Sequence, residues 1–390
     1  MYKGLIQFIR RHYGQPEDFI PLHAPTFKEH DREYVLDAID STFVSSVGEY
    51  VNRFEDDLAT FTGATRAVAT VNGTAALQTA LKLVGVGYGD EVITQPLTFV
   101  ATANAIAHLG GHPVFVDVDR DTMGLSPDAL EKWLKKNAEV RDIEKGISDS
   151  QAYNKTTNRR IAAILPMHTF GHPCRIAGIM DIAKKWSIPV VEDAAEAIGS
   201  YYKGKHCGTF GDVGILSFNG NKTITCGGGG AILTNDAERG ARAKHLTTTA
   251  KIPHPWEYEH DEIAYNFRMP NLNAALACAQ LERLPEILIK KRELAQEYVR
   301  FFRDIPWATF LEEPADTRSN YWLCAIALEN AGARDAFLET MNVAGVMTRP
   351  IWRLMTELSI YKNCQTGSLD NATWLRERVV NLPSGVRSRE

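Results

Sequence analysis

Short runs of consecutive apolar, often β-branched residues alternate along this chain with longer stretches in which apolar residues recur every three or four positions. Residues 67–71, 91–95, 113–118, 213–218 and 231–234 are of the first kind and predict strands. Residues 161–167 and 188–191 are unbroken apolar runs and predict buried strands. The stretch after Gly73 (A-A-L-Q-T-A-L-K-L-V), residues 98–109, 176–186 and 236–244 carry the helical period. Strand and helix therefore alternate, which predicts an α/β fold with a largely parallel sheet and helices on both faces.

Outside this block the pattern changes. Residues up to about 20 predict a helix, and P-L-H-A-P-T-F after them an extended linker, because its prolines disfavour helix. Residues 29–40 predict a helix and 43–48 a loop of small polar residues, among them Ser46, that suits either a plain turn or a ligand contact. The polar insertion at 138–157 predicts a surface loop. After residue 244 comes a long polar and aromatic loop, and long ordered loops are usually functional. The helical pattern resumes at Asn271, and from Pro285 a long helix leads into a smaller unit with strands near 321–328 and 346–350. The expected division is residues 1–250 for the N-terminal segment and large domain, and 251–390 for the connecting loop, long helix and small C-terminal domain. No internal repeat is evident.

Composition narrows the function. The 390 residues, 44% hydrophobic and 23% charged, are ordinary for a soluble globular protein with a sizeable core. The net charge of −5, without a basic stripe or acidic tail, speaks against nucleic acid or an anionic membrane surface as partner. The N-terminus has neither a continuous apolar run nor a small-residue cleavage site, so no leader or membrane span is expected. The six cysteines are scattered, with no pair at the two-residue spacing of zinc or redox motifs, and a reducing cytoplasmic setting is expected.

Ligands of open α/β sheets bind beyond the carboxyl ends of the strands. Three such ends carry chemistry here. Gly73-Thr74 opens a helix after a strand, where free amides and the helix dipole attract phosphate. Asp193 follows the strand at 188–191, and its neighbour Glu192 must point to the opposite face, so the two cannot work as a pair. Ser217 ends the strand at 213–218, and Lys222 stands in the turn before four glycines, where little bulk obstructs an amine reaching for an aldehyde. Together they describe a phosphate pocket, an acidic partner and an amine nucleophile. Phe99, at a helix start, suits either the core or a stacked aromatic ligand. His168 and His172 invite a metal, but only Cys174 is in evident reach, so no metal is expected. Gly227 to Gly230 lack the third glycine of a dinucleotide loop, and Gly220-Asn221-Lys222-Thr223 lacks the glycine that precedes a nucleotide-loop lysine.

Gly73-Thr74-Ala75-Ala76-Leu77, Thr98-Phe99-Val100-Ala101-Thr102, Glu192-Asp193-Ala194-Ala195, Ser217-Phe218 with Lys222, and Tyr265-Asn266-Phe267-Arg268 followed by Gln280-Leu281-Glu282 resemble, in order and over nearly the whole chain, the pyridoxal-phosphate-dependent nucleotide-sugar aminotransferases. The resemblance implies a fold-type I aminotransferase: a mostly parallel central sheet flanked by helices, with a smaller α+β C-terminal domain. It implies pyridoxal 5'-phosphate as cofactor, with pyridoxamine 5'-phosphate as its alternate form. Lys222 would hold the cofactor aldehyde and shuttle a proton, and Asp193 would keep the pyridine nitrogen protonated. Phe99 would stack on the ring, Glu196 would lie near its hydroxyl, and Gly73, Thr74 and Ser217 would hold the phosphate. Asn266 would reach the phosphate of a second subunit, making a homodimer obligatory. L-glutamate is the expected donor.

Residues 43–48 (F-V-S-S-V-G), Asn219 to Lys222, the four glycines and His245 to Lys251 look most like the branch that aminates C4 of a nucleotide-linked 4-keto-6-deoxy-N-acetylhexosamine on bacillosamine or legionaminic-acid routes, with UDP as the expected nucleotide. GDP or dTDP is the alternative. Ser46, His168, Asn219, His245, Lys251, Arg268 and Arg349 are the candidate substrate contacts. Two competing readings remain: a sugar dehydratase using the same cofactor, whose relatives carry histidine in place of Lys222, and a noncatalytic sugar-nucleotide binding protein.

Overall fold

The computed structural model describes residues 2–142 and 150–387. Among these, seven strands build the central sheet: β1 (Arg66–Thr70), β2 (Glu91–Thr94), β3 (His112–Phe115), β4 (Ile161–Leu165), β5 (Val191–Asp193), β6 (Val213–Ser217) and β7 (Gly230–Thr234). Their spatial order is β3-β2-β4-β5-β6-β7-β1, with β4 and β5 joined through parallel bridges at Ile164–Val190 and Met167–Asp193. Only β7 runs antiparallel to its neighbours. Every residue of β4 (I-A-A-I-L) and β6 (V-G-I-L-S) is buried, as expected of strands covered on both faces.

Helices α1 (Lys3–Tyr13), α2 (Glu29–Asp40), α3 (Glu49–Thr62), α4 (Gly73–Leu83), α5 (Val100–His108), α6 (Pro127–Asn137), α7 (Ile176–Lys185), α8 (Ala237–Thr247) and α9 (Asn271–Phe302) follow in chain order. Ala76, Leu77, Ala80, Ile106 and Ala243 bring α4, α5 and α8 onto one face, against Val92, Leu165, Ile215 and Ile232. On the other face, α6 and α7 cover the β3–β4 side through Leu130, Trp133, Ile179 and Ile182. The β1–β7 side is covered by α3 and α9 through Phe54, Leu58, Ala274 and Leu281. The small unit is an antiparallel sheet of Ala308–Phe310, Cys324–Leu328, Val379–Leu382 and Arg349–Pro350, in that spatial order.

Five features differ from expectation. Helix α3 was not anticipated, although Val51, Phe54 and Leu58 already show its spacing and Gly63, at φ 73°, ends it. The insertion at 138–157 contains a hairpin, Ala138–Asp142 against Ser150–Asn154, with residues 143–149 outside the described residues. The long loop after α8 contains a second, Lys251–Ile252 against Glu259–His260. Finally, α9 is one 32-residue helix that passes through Pro285. An interior proline costs about 3 kcal/mol; Leu281, Leu284, Ile287 and Leu294, buried on both sides of it, hold the helix together. Helix α1 packs through Leu5 and Ile9 on Phe310, Ile326 and Phe337 of the small unit, although the expected division at residue 250 groups it with the large one. Among the described residues no helix is long and apolar enough to cross a membrane.

Candidate active site

The carboxyl ends of β1, β2, β5 and β6 deliver the site. At the first, Asn72 caps α4 by accepting the Ala75 amide at 2.8 Å, which leaves the amides of Gly73 and Thr74 facing outward from the helix start. Ser217, at the end of β6, presses against this turn so closely that a β-carbon on Gly73 would lie 2.9 Å from that of Ser217. Gly230 is constrained in the same way, since a β-carbon there would come within 2.5 Å of the Asn72 carbonyl carbon. Gly230, the first residue of β7, thus lets the strand pass behind the turn. The hydroxyls of Thr74 and Ser217 have no hydrogen-bond partner among the described residues. Two amides, two hydroxyls and a helix dipole form an anion cradle. We expect Gly73→Ala to lower cofactor affinity by about tenfold or more, the overpacking cost being of order 1–3 kcal/mol. Equilibrium dialysis of the folded variant checks this.

Asp193, at the end of β5, is buried. Its Oδ2 accepts the Thr102 hydroxyl at 2.7 Å, and its Oδ1 the Ala195 amide at 3.2 Å. Thr102 is in turn 2.7 Å from the Thr98 hydroxyl, one helical turn earlier. Burial raises the Asp193 pKa, and the Thr102 and Ala195 hydrogen bonds and the charge of Lys222 only partly oppose it. Such a carboxylate has a place for one more cationic or donor partner. Glu192 points the other way, as strand geometry requires: it accepts the Gly208, Phe210 and Gly211 amides and His168 Nε2.

Lys222 Nζ lies 3.3 Å from Glu196 Oε1 and 4.1 Å from the centre of the Trp322 ring, and its side chain is 13% exposed. Glu196 Oε2 accepts the Phe170 amide at 2.9 Å. Burial pushes the Glu196 pKa up to about 7 despite the attraction of Lys222. Because this value is raised from 4.5, the protonated carboxyl contributes stability that is complete below pH 4.5 and is lost as pH rises through about 7. Glu196→Gln should accordingly flatten the melting temperature of cofactor-free protein between those pH values, measurable by scanning calorimetry.

The lysine loop is held from the small unit. Trp322 Nε1 donates to the Asn221 carbonyl at 2.7 Å, and Asn320 Nδ2 donates to the carbonyls of Glu196 at 2.8 Å and Ile198 at 2.9 Å. A β-carbon on Gly171 would collide with the Asn320 amide. Phe170 and Tyr321 both adopt positive φ, 58° and 48°, a strain of about 1–3 kcal/mol each that concentrates where an arrangement is over-determined. Thr98, Thr102, Phe170, Asn320 and Trp322 were given no role from sequence. The two threonines sit at helical spacing beside the Asp193 strand and had a local signal. Asn320 and Trp322 come from about 100 residues downstream and had none.

The remaining candidates fall into separate groups. Phe99 is 51% exposed at the start of α5, available for stacking. His168 is wholly buried: Nδ1 accepts the Cys174 amide and Nε2 therefore carries the proton donated to Glu192. It has no surface to offer a substrate, which corrects its placement among the substrate contacts; it supports β5 from behind. His172 is buried edge-on to Tyr321. Asn219 is exposed and accepts the Lys222 amide through its carbonyl. Ser46 lies half-buried in the loop that docks on α9 through Asn271. His245 pairs with Asp261 at 2.6 Å, and Lys251 lies over Tyr258. Arg268 Nε donates to Asn266 Oδ1 at 3.0 Å, which turns the Asn266 amino group outward as a donor. Arg349 is exposed on the small sheet, bonded to Asn342 and the Thr348 carbonyl. No hydrogen bond or ion pair among the described residues joins Ser46, His245, Lys251, Arg268 or Arg349 to Lys222.

A phosphate cradle, a buried carboxylate and an amine thus stand at the ends of β1, β5 and β6. Residues 25–389 of the chain match the family of the DegT/DnrJ/EryC1/StrS aminotransferases. The chain belongs to this family. It is similar to GDP-perosamine synthase of Escherichia coli O157:H7, 36% identical over 94% of this chain and 93% of the relative, and to that of Vibrio cholerae, 33% identical over 94% of each. Its structure resembles Helicobacter pylori PseC, an aminotransferase involved in the biosynthesis of pseudoaminic acid, with a TM-score of 0.83 at 27% identity over 94% of both chains. As a DegT/DnrJ/EryC1/StrS aminotransferase, the protein is a fold-type I, pyridoxal-phosphate-dependent sugar transaminase, with pyridoxamine phosphate as the alternate cofactor form. The residues present fit that cofactor: the buried Asp193 carboxylate has no ion-pair partner within contact distance among the described residues, and the cradle at Gly73 suits a phosphate.

Proposed function

We propose that this aminotransferase carries the amino group of L-glutamate to C4 of a nucleotide-linked 4-keto-6-deoxy sugar, and that the nucleotide is GDP. The placement of Lys222 Nζ between Glu196 and the Trp322 face, beside Asp193, supports the reaction type. The GDP assignment rests on relatives 33–36% identical over nearly their whole length that are named GDP-perosamine synthases. It replaces, as the better supported reading, the UDP-linked N-acetylhexosamine suggested by residues 43–48 and the His245 to Lys251 segment.

Bound here, pyridoxal phosphate supplies an aldehyde for the amine and a ring that withdraws electrons from the carbon losing its proton. Lys222 would hold the aldehyde carbon and, once the donor amine displaces it, carry the proton away from the donor carbon. Asp193 would keep the ring nitrogen protonated, with Thr102 fixing its Oδ2. Phe99 would cover the ring, Glu196 would face its hydroxyl, and Gly73, Thr74 and Ser217 would hold the phosphate. Asn266, turned outward by Arg268, would complete the phosphate site of a second copy. The exposed apolar side chains of Leu36, Ile39, Phe43, Val44 and Val47 support such a homodimer. The six free cysteines suit the reducing cytoplasm.

The test is spectroscopic. Cofactor-loaded protein should lose its visible absorbance on addition of L-glutamate and regain it with GDP-linked 4-keto-6-deoxy sugar. Recovery with the UDP-linked N-acetyl sugar instead would return the assignment to UDP, and recovery with neither would sink the acceptor class.

A further inference from the structure

We infer that Trp352, in the small unit, is the platform on which the hexose ring of the acceptor lies. The inference rests on the reading above and names a residue for its acceptor half. Trp352 belongs to the segment R-P-I-W-R, whose backbone is tied to the small sheet through the Ile351 amide and the Val379 carbonyl. Three residues on, the Met355 amide donates to the Pro96 carbonyl at 2.9 Å, which docks this loop on the carboxyl end of β2. The Trp352 ring is thereby set 6.4 Å from Phe99 and 5.1 Å from Phe170. Phe170 is the residue whose amide holds Glu196, and its ring lies 6.4 Å from Trp322, the ring over Lys222. Four aromatic rings therefore run in an arc from the reactive amine to the mouth of the site.

Within this arc, Trp322 and Phe170 are buried, whereas Phe99 is largely exposed and Trp352 is half-buried. Phe99 has the cofactor ring to cover. Trp352 has no such duty, and an indole of this size, two rings along the arc from the catalytic amine and left partly in water, forgoes burial that its own chain does not provide. A 6-deoxyhexose has the matching surface: one face of the ring presents polarised C–H groups, C6 is a methyl, and both complement the electron-rich face of an indole. The same segment carries Arg349 and Arg353, both exposed, as cations suited to the diphosphate.

The experiment measures, by calorimetry on protein loaded with the pyridoxamine form of the cofactor, which has no aldehyde to exchange with an amine, the affinity for GDP alone and for a GDP-linked 4-amino-4,6-dideoxyhexose. The native protein should bind the sugar nucleotide more tightly than GDP. Trp352→Ala should reduce that advantage by about tenfold while leaving GDP affinity and the loss of absorbance with L-glutamate unchanged, and Trp352→Phe should retain most of it. An advantage kept intact in Trp352→Ala overturns the platform and leaves the acceptor reading standing. Equal loss of GDP and sugar-nucleotide binding also overturns it, as the mark of a general structural role. Absence of any advantage in the native protein overturns the acceptor reading and the platform together.

Discussion

Lys222→Ala is expected to reduce transamination by about 10³-fold or more while leaving the fold and phosphate-dependent cofactor binding in place. The side chain ends 3.3 Å from Glu196, with its backbone pinned through Asn219 and the Trp322–Asn221 bond, and among the described residues it is the lysine that pairs with Glu196. Proton transfer by a positioned side chain accounts for about 10²–10⁴ in rate, and loss of the covalent attachment adds to that. Lys222→Arg should fare no better, because a guanidinium stays protonated and is no nucleophile. Stopped-flow absorbance with L-glutamate measures both variants, and near-native turnover in either would remove Lys222 from the chemistry.

Asp193→Asn should be nearly as damaging, by about 10²–10³-fold, for a different reason. An amide in this buried position cannot hold a proton on the ring nitrogen, so the electron sink is lost although the shape is kept. Thr102→Val separates position from charge. It removes the 2.7 Å bond that fixes Asp193 Oδ2, a hydrogen bond to a charged group being worth about 1.5–3 kcal/mol, and should cost about tenfold or more. Its signature is an altered pH dependence of the absorbance of loaded protein, which a purely packing role for Thr102 would not produce. Thr102→Ser should restore the native profile.

The strand ends that carry the chemistry were readable in the sequence because each is a local pattern: Gly73-Thr74 at a strand-to-helix turn, Asp193 after an apolar run, Ser217 and Lys222 around a short connection. The clamps on them were not. Trp322, Asn320 and Trp352 come from the small unit, and no spacing rule ties a residue near 320 to a loop near 221; only the folded chain does. His168 shows the converse error. A histidine beyond a buried strand looks reactive in sequence, but the Cys174 amide and Glu192 occupy both its nitrogens. The glycine run lacked the pattern of a dinucleotide loop, and in the fold its last member, Gly230, is the clearance that lets β7 pass Asn72 and Gly73. Pro285 looked like a helix start, yet packing on either side carries α9 through it.

The most direct measurement is to reduce the cofactor-loaded protein with borohydride, digest it and locate the attached pyridoxyl group by mass spectrometry, with and without prior addition of L-glutamate. The predicted result is attachment at Lys222 alone, abolished when glutamate is added first. Attachment at another lysine, or labelling of Lys222 that glutamate leaves untouched, would contradict the assignment of this lysine as the amine that exchanges with the donor.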